Sequence, residues 1–324
     1  MKIGNVAIEP VTKKQGILEV ARRYDGSYIG IPLMTASGRT QKPLLCIAAG
    51  VHGDEYVGGE AVRRFIAAID SRKLRGTVIG VPALNMPAFE MGTRVGPFDS
   101  LDLNRVFPGR AEGYTTELIA HAFFNEVVSK CDYCIDIHSP GTFFKATPSV
   151  NYEEAEGEQG VKTMKLAESV GVELLWHYER PGSLAGEAMR KGIPSVVLDY
   201  IGEDSRVTEE DVKFAVKCLN NIAIHLKMID GKLDLPKHLT YLLGRNVSDN
   251  QMYSRCGGFF SRNVEPGQRV NKGDLLGTIY DVFGKAIEKV LCPHDNAIVV
   301  AIRSYPSVKP GGWCAFVPRI VTIK

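Results

Sequence analysis

The sequence has 324 residues, with 39 Lys and Arg against 37 Asp and Glu and a formal net charge of +2. A charge this close to neutral, without a basic block, excludes the positive field typical of nucleic-acid-binding proteins. No apolar run reaches the roughly 18 residues that span a bilayer, and the first residues lack the apolar core of a secretion signal. We therefore expect a cytoplasmic protein with no nucleic-acid or membrane partner.

The chain is predicted to have three parts. Residues 1–42 alternate apolar and polar side chains with the period of strands, which predicts an N-terminal β lead-in packed on the rest. Residues 43–235 alternate apolar strands with helical stretches, for example 115–128, 161–170 and 209–228. Such alternation favours an α/β domain with a mixed, largely parallel sheet covered by helices.

Two histidines and a glutamate are the candidate metal ligands. His52 and Glu55 follow the apolar run 44–49, and His138 follows the run 135–137. Side chains just beyond the carboxyl ends of neighbouring strands in an open sheet converge, whatever their distance in sequence. Two histidines and one carboxylate are a frequent ligand set of catalytic zinc, which keeps a fourth position open for water. The alternative is a hydrogen-bonded structural pair without a metal.

A loop rich in Gly and Pro, residues 94–109, separates the two halves of this site and contains Arg94, Asn104 and Arg105. Arginine presents a planar fork that matches a carboxylate, and a nearby asparagine adds a donor. The loop is therefore a candidate anion clamp. Alternatively, Arg105 pairs with Asp102 or Asp99 and only fixes the loop.

After about residue 235 the pattern changes to short strands separated by turns, as in residues 264–277. We predict that residues 236–324 form a small all-β domain, a barrel or sandwich. Its Pro-Gly-x-x-Val-x-x-Gly-Asp pattern is similar to biotinyl and lipoyl carrier domains, but no carrier lysine is recognisable at a hairpin tip. We interpret it as a structural or substrate-shaping domain.

The order of the motifs resembles the succinylglutamate desuccinylase/aspartoacylase family, relatives of the zinc carboxypeptidases. The motifs are Gly-x-His-Gly-x-Glu, Asp-Leu-Asn-Arg-x-Phe-Pro-Gly and Asp-x-His-Ser, and the resemblance runs from about residue 43 to about residue 230. It implies a zinc carboxypeptidase-like fold and one Zn²⁺ ion per chain on His52, Glu55 and His138. It also implies that Asn104 and Arg105 hold a substrate carboxylate and that Arg94 polarises the scissile carbonyl.

The general base departs from the family pattern. The family has a glutamate at the end of a late strand, where this chain has Asp199 after Gly192-Ile193-Pro194. Asp199 is the base on a shifted backbone, or Glu203 reaches the water instead, or turnover is slow or lost. The first reading is favoured because Asp199 ends its strand as the family base does.

The predicted function is zinc-dependent hydrolysis of an amide, which removes a short acyl group from an N-acylated amino acid or related amine. The expected partner is a small anionic acylated amino acid, and homo-oligomerisation stays open. Two alternatives remain: a zinc carboxypeptidase acting on peptides, and a catalytically silent metal-containing binding protein that has lost its base. The sequence identifies neither the acyl group nor the amine.

Overall fold

The computed structural model of the protein describes residues 1–321, except for the side chains of residues 178 and 245–248. The helices are α1 (Val57–Ala68), α2 (Met86–Met91), α3 (Thr115–Glu126), α4 (Gly157–Ser169), α5 (Leu184–Arg190) and α6 (Glu209–His225), and 3₁₀ turns span Leu103–Arg105, Val128–Lys130 and Val247–Asn250. No helix within the described range is long and apolar enough to cross a membrane.

The strands up to the last helix are β1 (Lys2–Ile3), β2 (Val6–Ala7), β3 (Thr12–Arg22), β4 (Tyr28–Ser37), β5 (Leu44–Ala49), β6 (Thr77–Val81), β7 (Tyr133–Ile137), β8 (Phe144–Ala146), β9 (Ser149–Tyr152), β10 (Leu174–Glu179) and β11 (Ser195–Asp199). The later strands are β12 (Thr240–Asn246), β13 (Gln251–Tyr253), β14 (Gly258–Arg262), β15 (Arg269–Val270), β16 (Leu275–Tyr280), β17 (Ala286–Leu291), β18 (Ala297–Ile298), β19 (Ala301–Arg303), β20 (Ser307–Val308), β21 (Trp313–Phe316) and β22 (Arg319–Val321).

Twelve of these strands form one mixed sheet, in the order β15-β18-β22-β12-β10-β9-β11-β7-β5-β6-β4-β3. Its middle is largely parallel: β5 pairs in parallel with β6 and β7, β7 with β11, and β10 with β9 and β12. The prediction of a mixed, largely parallel sheet covered by helices is confirmed. All six residues of β5 are buried, which is typical of a parallel strand covered on both faces.

Helices cover both faces of the sheet. One core lies under α1, α4 and α6, where Phe65, Leu166 and Leu219 are buried. A second core lies on the opposite face, under α3 and α5, and includes Phe123 and Leu184. Strands β3 and β4 form an antiparallel hairpin at one end of the sheet.

The C-terminal strands pair with one another in antiparallel fashion, as expected, and β12 joins them in parallel to β10 of the preceding part. Strands β12, β22, β18 and β15 extend the central sheet beyond β10. The remaining strands form two four-stranded sheets, β17-β16-β14-β20 and β13-β21-β19-β8, and the second of these includes β8 from the central part of the chain. The boundary at residues 235–236 remains a prediction.

The sheet order brings the candidate site together. Strands β5, β7 and β11 are parallel neighbours, so their carboxyl ends lie at the same edge. His52 follows β5, His138 follows β7 and Asp199 ends β11. This edge is where ligands bind in open α/β sheets.

Candidate metal centre and active-site pocket

His52, Glu55 and His138, hereafter the metal triad, meet beyond the carboxyl ends of β5 and β7. Nδ1 of His52 lies 2.7 Å from Oε1 of Glu55, and Nδ1 of His138 lies 2.7 Å from Oε2 of the same carboxylate. One candidate ligand atom from each residue lies within 4.8 Å of the others. All three side chains are buried, so water does not screen the group.

A glycine positions the loop that carries His52 and Glu55. A Cβ atom at Gly53 would lie 2.0 Å from the backbone carbon of Ala88 in α2, a contact that no side-chain movement could relieve. The backbone N–H of Gly53 donates to the carbonyl of Thr93 at 2.9 Å. The loop therefore lies directly against the end of α2, and the Gly-rich motif has a steric reason.

Two aspartates hold the outer nitrogens of the histidine rings. Nε2 of His52 lies 3.2 Å from Oδ1 of Asp102, and Nε2 of His138 lies 3.0 Å from Oδ2 of Asp136. Metal-ligating histidines commonly donate their second N–H to a carboxylate, which fixes the tautomer and orients the ring. The sequence analysis missed this role of both residues. The signal was the Asp-x-His spacing, which places Asp136 two residues before His138 on one face of the chain.

The electrostatics of the triad favour a positive charge between its members. Burial raises the pKa of Glu55, but His52 and His138 outweigh it and hold that pKa well below its usual range. Burial lowers the pKa of His138, but the carboxylates of Asp136 and Glu55 outweigh it and raise that pKa well above its usual value. The two carboxylates around His138 favour a positive charge at this point, which a divalent metal ion would supply. The donor set therefore fits a divalent metal ion.

The arginines of the loop lie beside this centre. Arg94 places Nη1 3.4 Å from Oε1 of Glu55 and Nη2 3.2 Å from Oδ2 of Asp102. Burial raises the pKa of Asp102, but its hydrogen bond with His52 and the nearby positive charges hold that pKa well below the usual range. Arg105 donates through Nη1 to the carbonyl of Asn104 at 2.7 Å. Both arginines line the pocket.

Asn104 is more deeply held than the sequence indicated. Its Oδ1 accepts a hydrogen bond from the backbone of Leu184 at 2.8 Å, and its Nδ2 lies 3.1 Å from Nε2 of His138. The side chain is buried, yet it contributes to the pocket lining. Its contacts tie the loop to the start of α5 and to the metal triad, in addition to any substrate contact.

The two candidate bases lie in different environments. Asp199 is buried and lines the pocket; Oδ2 accepts from Asn151 and Oδ1 from the N–H of Tyr200, both at 2.8 Å. Burial raises the pKa of Asp199 above its usual value. Glu203 lies 3.8 Å from the ammonium of Lys145, and its side chain is 37% exposed. Glu203 is not among the described residues that line the pocket.

The pocket above the metal triad has an empty volume of about 950 Å³, including its mouth. Besides the predicted site residues, its wall includes the side chain of Arg180. Part of the wall comes from strands near the C-terminal end, where the sequence analysis named no site residue. Gln251, Trp313 and Phe316 form this part of the lining, and Phe144 and Tyr200 from earlier in the chain add two further aromatic side chains to the wall. Trp313 lies under the guanidinium of Arg94, 5.9 Å from its ring centre.

Comparisons with known proteins agree with this arrangement. The family described as "Succinylglutamate desuccinylase/Aspartoacylase catalytic domain" matches residues 41–226. The N-alpha-acetyl-L-2,4-diaminobutyric acid deacetylase of Halomonas elongata is 26% identical over 315 residues, which cover 95% of this chain and 92% of that protein.

Two solved structures share the fold over nearly their whole length. The product-bound structure of the ectoine utilization protein EutE from Ruegeria pomeroyi has a TM-score of 0.89 at 24% identity, and the match covers 98% of this chain and 100% of that one. The crystal structure of a succinylglutamate desuccinylase/aspartoacylase from Rhodobacter sphaeroides has a TM-score of 0.86 at 25% identity, with 96% of each chain covered. The strands after residue 235 therefore belong to the fold that these proteins share.

Proposed function

Since the chain belongs to the succinylglutamate desuccinylase/aspartoacylase family, whose name describes the removal of acyl groups from amino acids, we propose that it is a zinc-dependent deacylase. Its substrate is a small N-acylated amino acid, and its products are a carboxylate and a free amine. The observation that carries this proposal is the buried metal triad, at the base of a pocket that also contains arginines and a buried aspartate.

Zinc fits the triad because two imidazoles and one carboxylate are its usual ligands in hydrolases. When bound there, zinc supplies Lewis acidity and makes a nucleophilic water available near neutral pH. Asp102 and Asp136 keep the rings oriented, with Nδ1 of each histidine facing Glu55, so these three residues would hold the metal. This preorganisation is the contribution of the protein itself to metal affinity.

Asp199 is the proposed general base. Its carboxylate takes the proton of the attacking water and later returns it to the departing amine. Asn151 and the N–H of Tyr200 hold the two oxygens in fixed directions, and such positioning compensates for a side chain that is one methylene shorter than glutamate. The raised pKa that burial gives Asp199 favours transfer of this proton in both directions.

The two arginines are proposed to bind different negatively charged groups of the substrate. Arg94, beside Glu55, is placed to stabilise negative charge that develops on the carbonyl oxygen, the role of an oxyanion hole. Arg105 is the proposed partner of the amino acid carboxylate, with Asn104 both supporting its loop and contributing a donor. Binding at both points orients the amide for attack.

The substrate to test first follows from the Halomonas elongata relative, which is named for an acetylated diamino acid. We extend this to the present chain as a preference for acetylated amino acids. The test is release of free amine from a panel of N-acetyl and N-succinyl amino acids by zinc-loaded protein.

We expect turnover of at least one acetylated amino acid, its loss after chelation, and its return when zinc is added. A matched variant, His138→Gln, should fail to recover activity at zinc concentrations that restore the wild type. Stoichiometric zinc without amine release from any member of the panel would overturn the deacylase proposal and favour a silent binding protein.

A further inference from the structure

One carboxylate oxygen in the pocket has no partner. Asp54 lies between the metal ligands His52 and Glu55, lines the pocket and is 5% exposed. Its Oδ2 accepts from the N–H and the hydroxyl of Thr142, both at 3.1 Å. Its Oδ1 is buried and accepts no hydrogen bond from any residue that the structure describes. A buried carboxylate oxygen without a hydrogen-bond donor costs free energy, which the protein recovers on binding a cation or a donor.

The other acids of the pocket are already engaged. Both oxygens of Glu55 face histidines, and both oxygens of Asp199 accept hydrogen bonds. Glu153 accepts from the N–H of Arg180 at 2.9 Å, and its second oxygen lies 3.6 Å from Arg190. For Asp54, no ion pair is found within residues 1–321. Of the acids that line the pocket, Asp54 therefore has the unused acceptor.

We propose that Oδ1 of Asp54 binds the ammonium group of a second, unacylated amine in the substrate, so that the pocket selects N-acylated diamino acids. This inference rests on the proposed deacylase function and names its substrate class. A charge-assisted hydrogen bond from an ammonium satisfies the orphaned oxygen and neutralises its charge in a single contact. The arginines of the pocket suit the opposite, anionic end of the same molecule.

The pocket that Asp54 lines also contains aromatic rings, which suit an alkylammonium. Thr142, which holds Oδ2, lies two residues before Phe144, whose ring lines the pocket. Phe144 packs against Phe316 with ring centres 5.5 Å apart, and Tyr200 packs against the same Phe316 at 5.9 Å. Aromatic faces attract ammonium groups and accommodate the methylenes that carry them.

The test compares two substrates that differ only in this amine: N-acetyl-2,4-diaminobutyrate and N-acetyl-2-aminobutyrate. We expect wild-type protein to prefer the diamino substrate by at least about tenfold in kcat/KM. Asp54→Asn should lower kcat/KM for the diamino substrate by about 10- to 100-fold and change it little for the other. An equal loss on both substrates would show a structural role and overturn the inference.

Asn is the appropriate replacement because its Oδ1 can still accept from Thr142 while its amide removes the charge. Thr142→Val is the matched control: it removes the hydroxyl that donates to Oδ2 but keeps the carboxylate of Asp54, so the preference for the diamino substrate should persist. Zinc content and the Tm of each variant are measured in parallel. A substrate preference retained in Asp54→Asn would contradict the inference.

A binding measurement separates this inference from the proposed reaction. Calorimetry with zinc-loaded protein compares 2,4-diaminobutyrate with 2-aminobutyrate, before and after Asp54→Asn. Tighter binding of the diamino acid that depends on Asp54 supports the inference even if no acylated substrate is turned over, an outcome that counts against the deacylase function alone. Equal affinity for the two amino acids overturns the inference even where deacylation is observed.

Discussion

Oδ2 of Asp136 lies 3.0 Å from Nε2 of His138, on the side of the ring opposite to Glu55. The ring is therefore held between two carboxylates, one that can share a metal with it and one that only orients it. We expect Asp136→Asn to weaken zinc affinity by about 10- to 100-fold, because the ring loses a charged acceptor that fixes its tautomer and raises its basicity.

Competition with a chromophoric chelator measures this affinity directly. Asp102→Asn is the matched variant for His52 and should have an effect of similar size. An unchanged zinc affinity in both variants would show that the aspartates do not support the ligands.

The two candidate bases, Asp199 and Glu203, predict different effects of substitution on kcat. Removing a general base costs typically about 10²- to 10⁴-fold in rate, so Asp199→Asn should lower kcat by a factor in this range. Glu203→Gln should leave kcat within about threefold, because Glu203 lies beside Lys145 and outside the described pocket lining. Steady-state kinetics at equal zinc occupancy decide between them. Full activity in Asp199→Asn would rule out this assignment.

Asp199 should also make the free energy of unfolding depend on pH, with a loss of stability as the pH rises. Burial raises its folded-state pKa above the unfolded value. The stability contribution of such a group is fully present below the unfolded pKa, about 4 for Asp, and is lost as pH rises through the folded pKa. At neutral pH the metal-free protein thus carries the cost of a buried carboxylate. Asp199→Asn, with the Asn151 amide reoriented, should therefore not lower the free energy of unfolding at pH 7.

Denaturant unfolding in the presence of a chelator checks this expectation at a series of pH values. The advantage of Asp199→Asn over wild type should shrink as pH falls toward about 4. A variant less stable than wild type by more than about 1 kcal/mol at pH 7 would contradict the argument, since that is the size of an ordinary destabilising substitution.

Arg105 should act through substrate binding. Arg105→Lys keeps the charge but loses the planar fork that can bind a carboxylate in two hydrogen bonds, so we expect KM to rise by about tenfold or more with a smaller change in kcat. Arg110→Lys is the control, since Arg110 is exposed and pairs with Glu117. Initial rates over a range of substrate concentrations separate the two parameters. An effect on kcat alone would place Arg105 in the chemical step.

The metal triad and the central sheet could be predicted from sequence because their signals are local. The apolar run before His52 and the run before His138 both predict strands, and parallel strands end at one edge. Residue type and spacing then identify the ligands. The preference for Asp199 over Glu203 as the base came from its position at the end of a strand, and it stays a prediction.

The other features of the site and fold depend on contacts between distant parts of the chain, which residue spacing does not predict. The carboxylate of Asp102 reaches His52 across 50 residues, and which carboxylate faces which ring nitrogen is decided by the folded loop. The pairing of β8 with β19 joins chain segments about 150 residues apart. Alternating short strands predicted antiparallel structure after residue 235, but the strand that each would pair with was not predictable from its own pattern.

The metal triad and one part of the pocket wall come from different stretches of the chain. The triad and Asp199 all lie before residue 200, whereas Gln251, Trp313 and Phe316 close the wall from β13 and β21. Substitutions in those late strands can resize the pocket without replacing a residue of the metal triad. After gene duplication, a descendant of this protein could therefore acquire a new substrate by changing its last strands while inheriting the reaction unaltered.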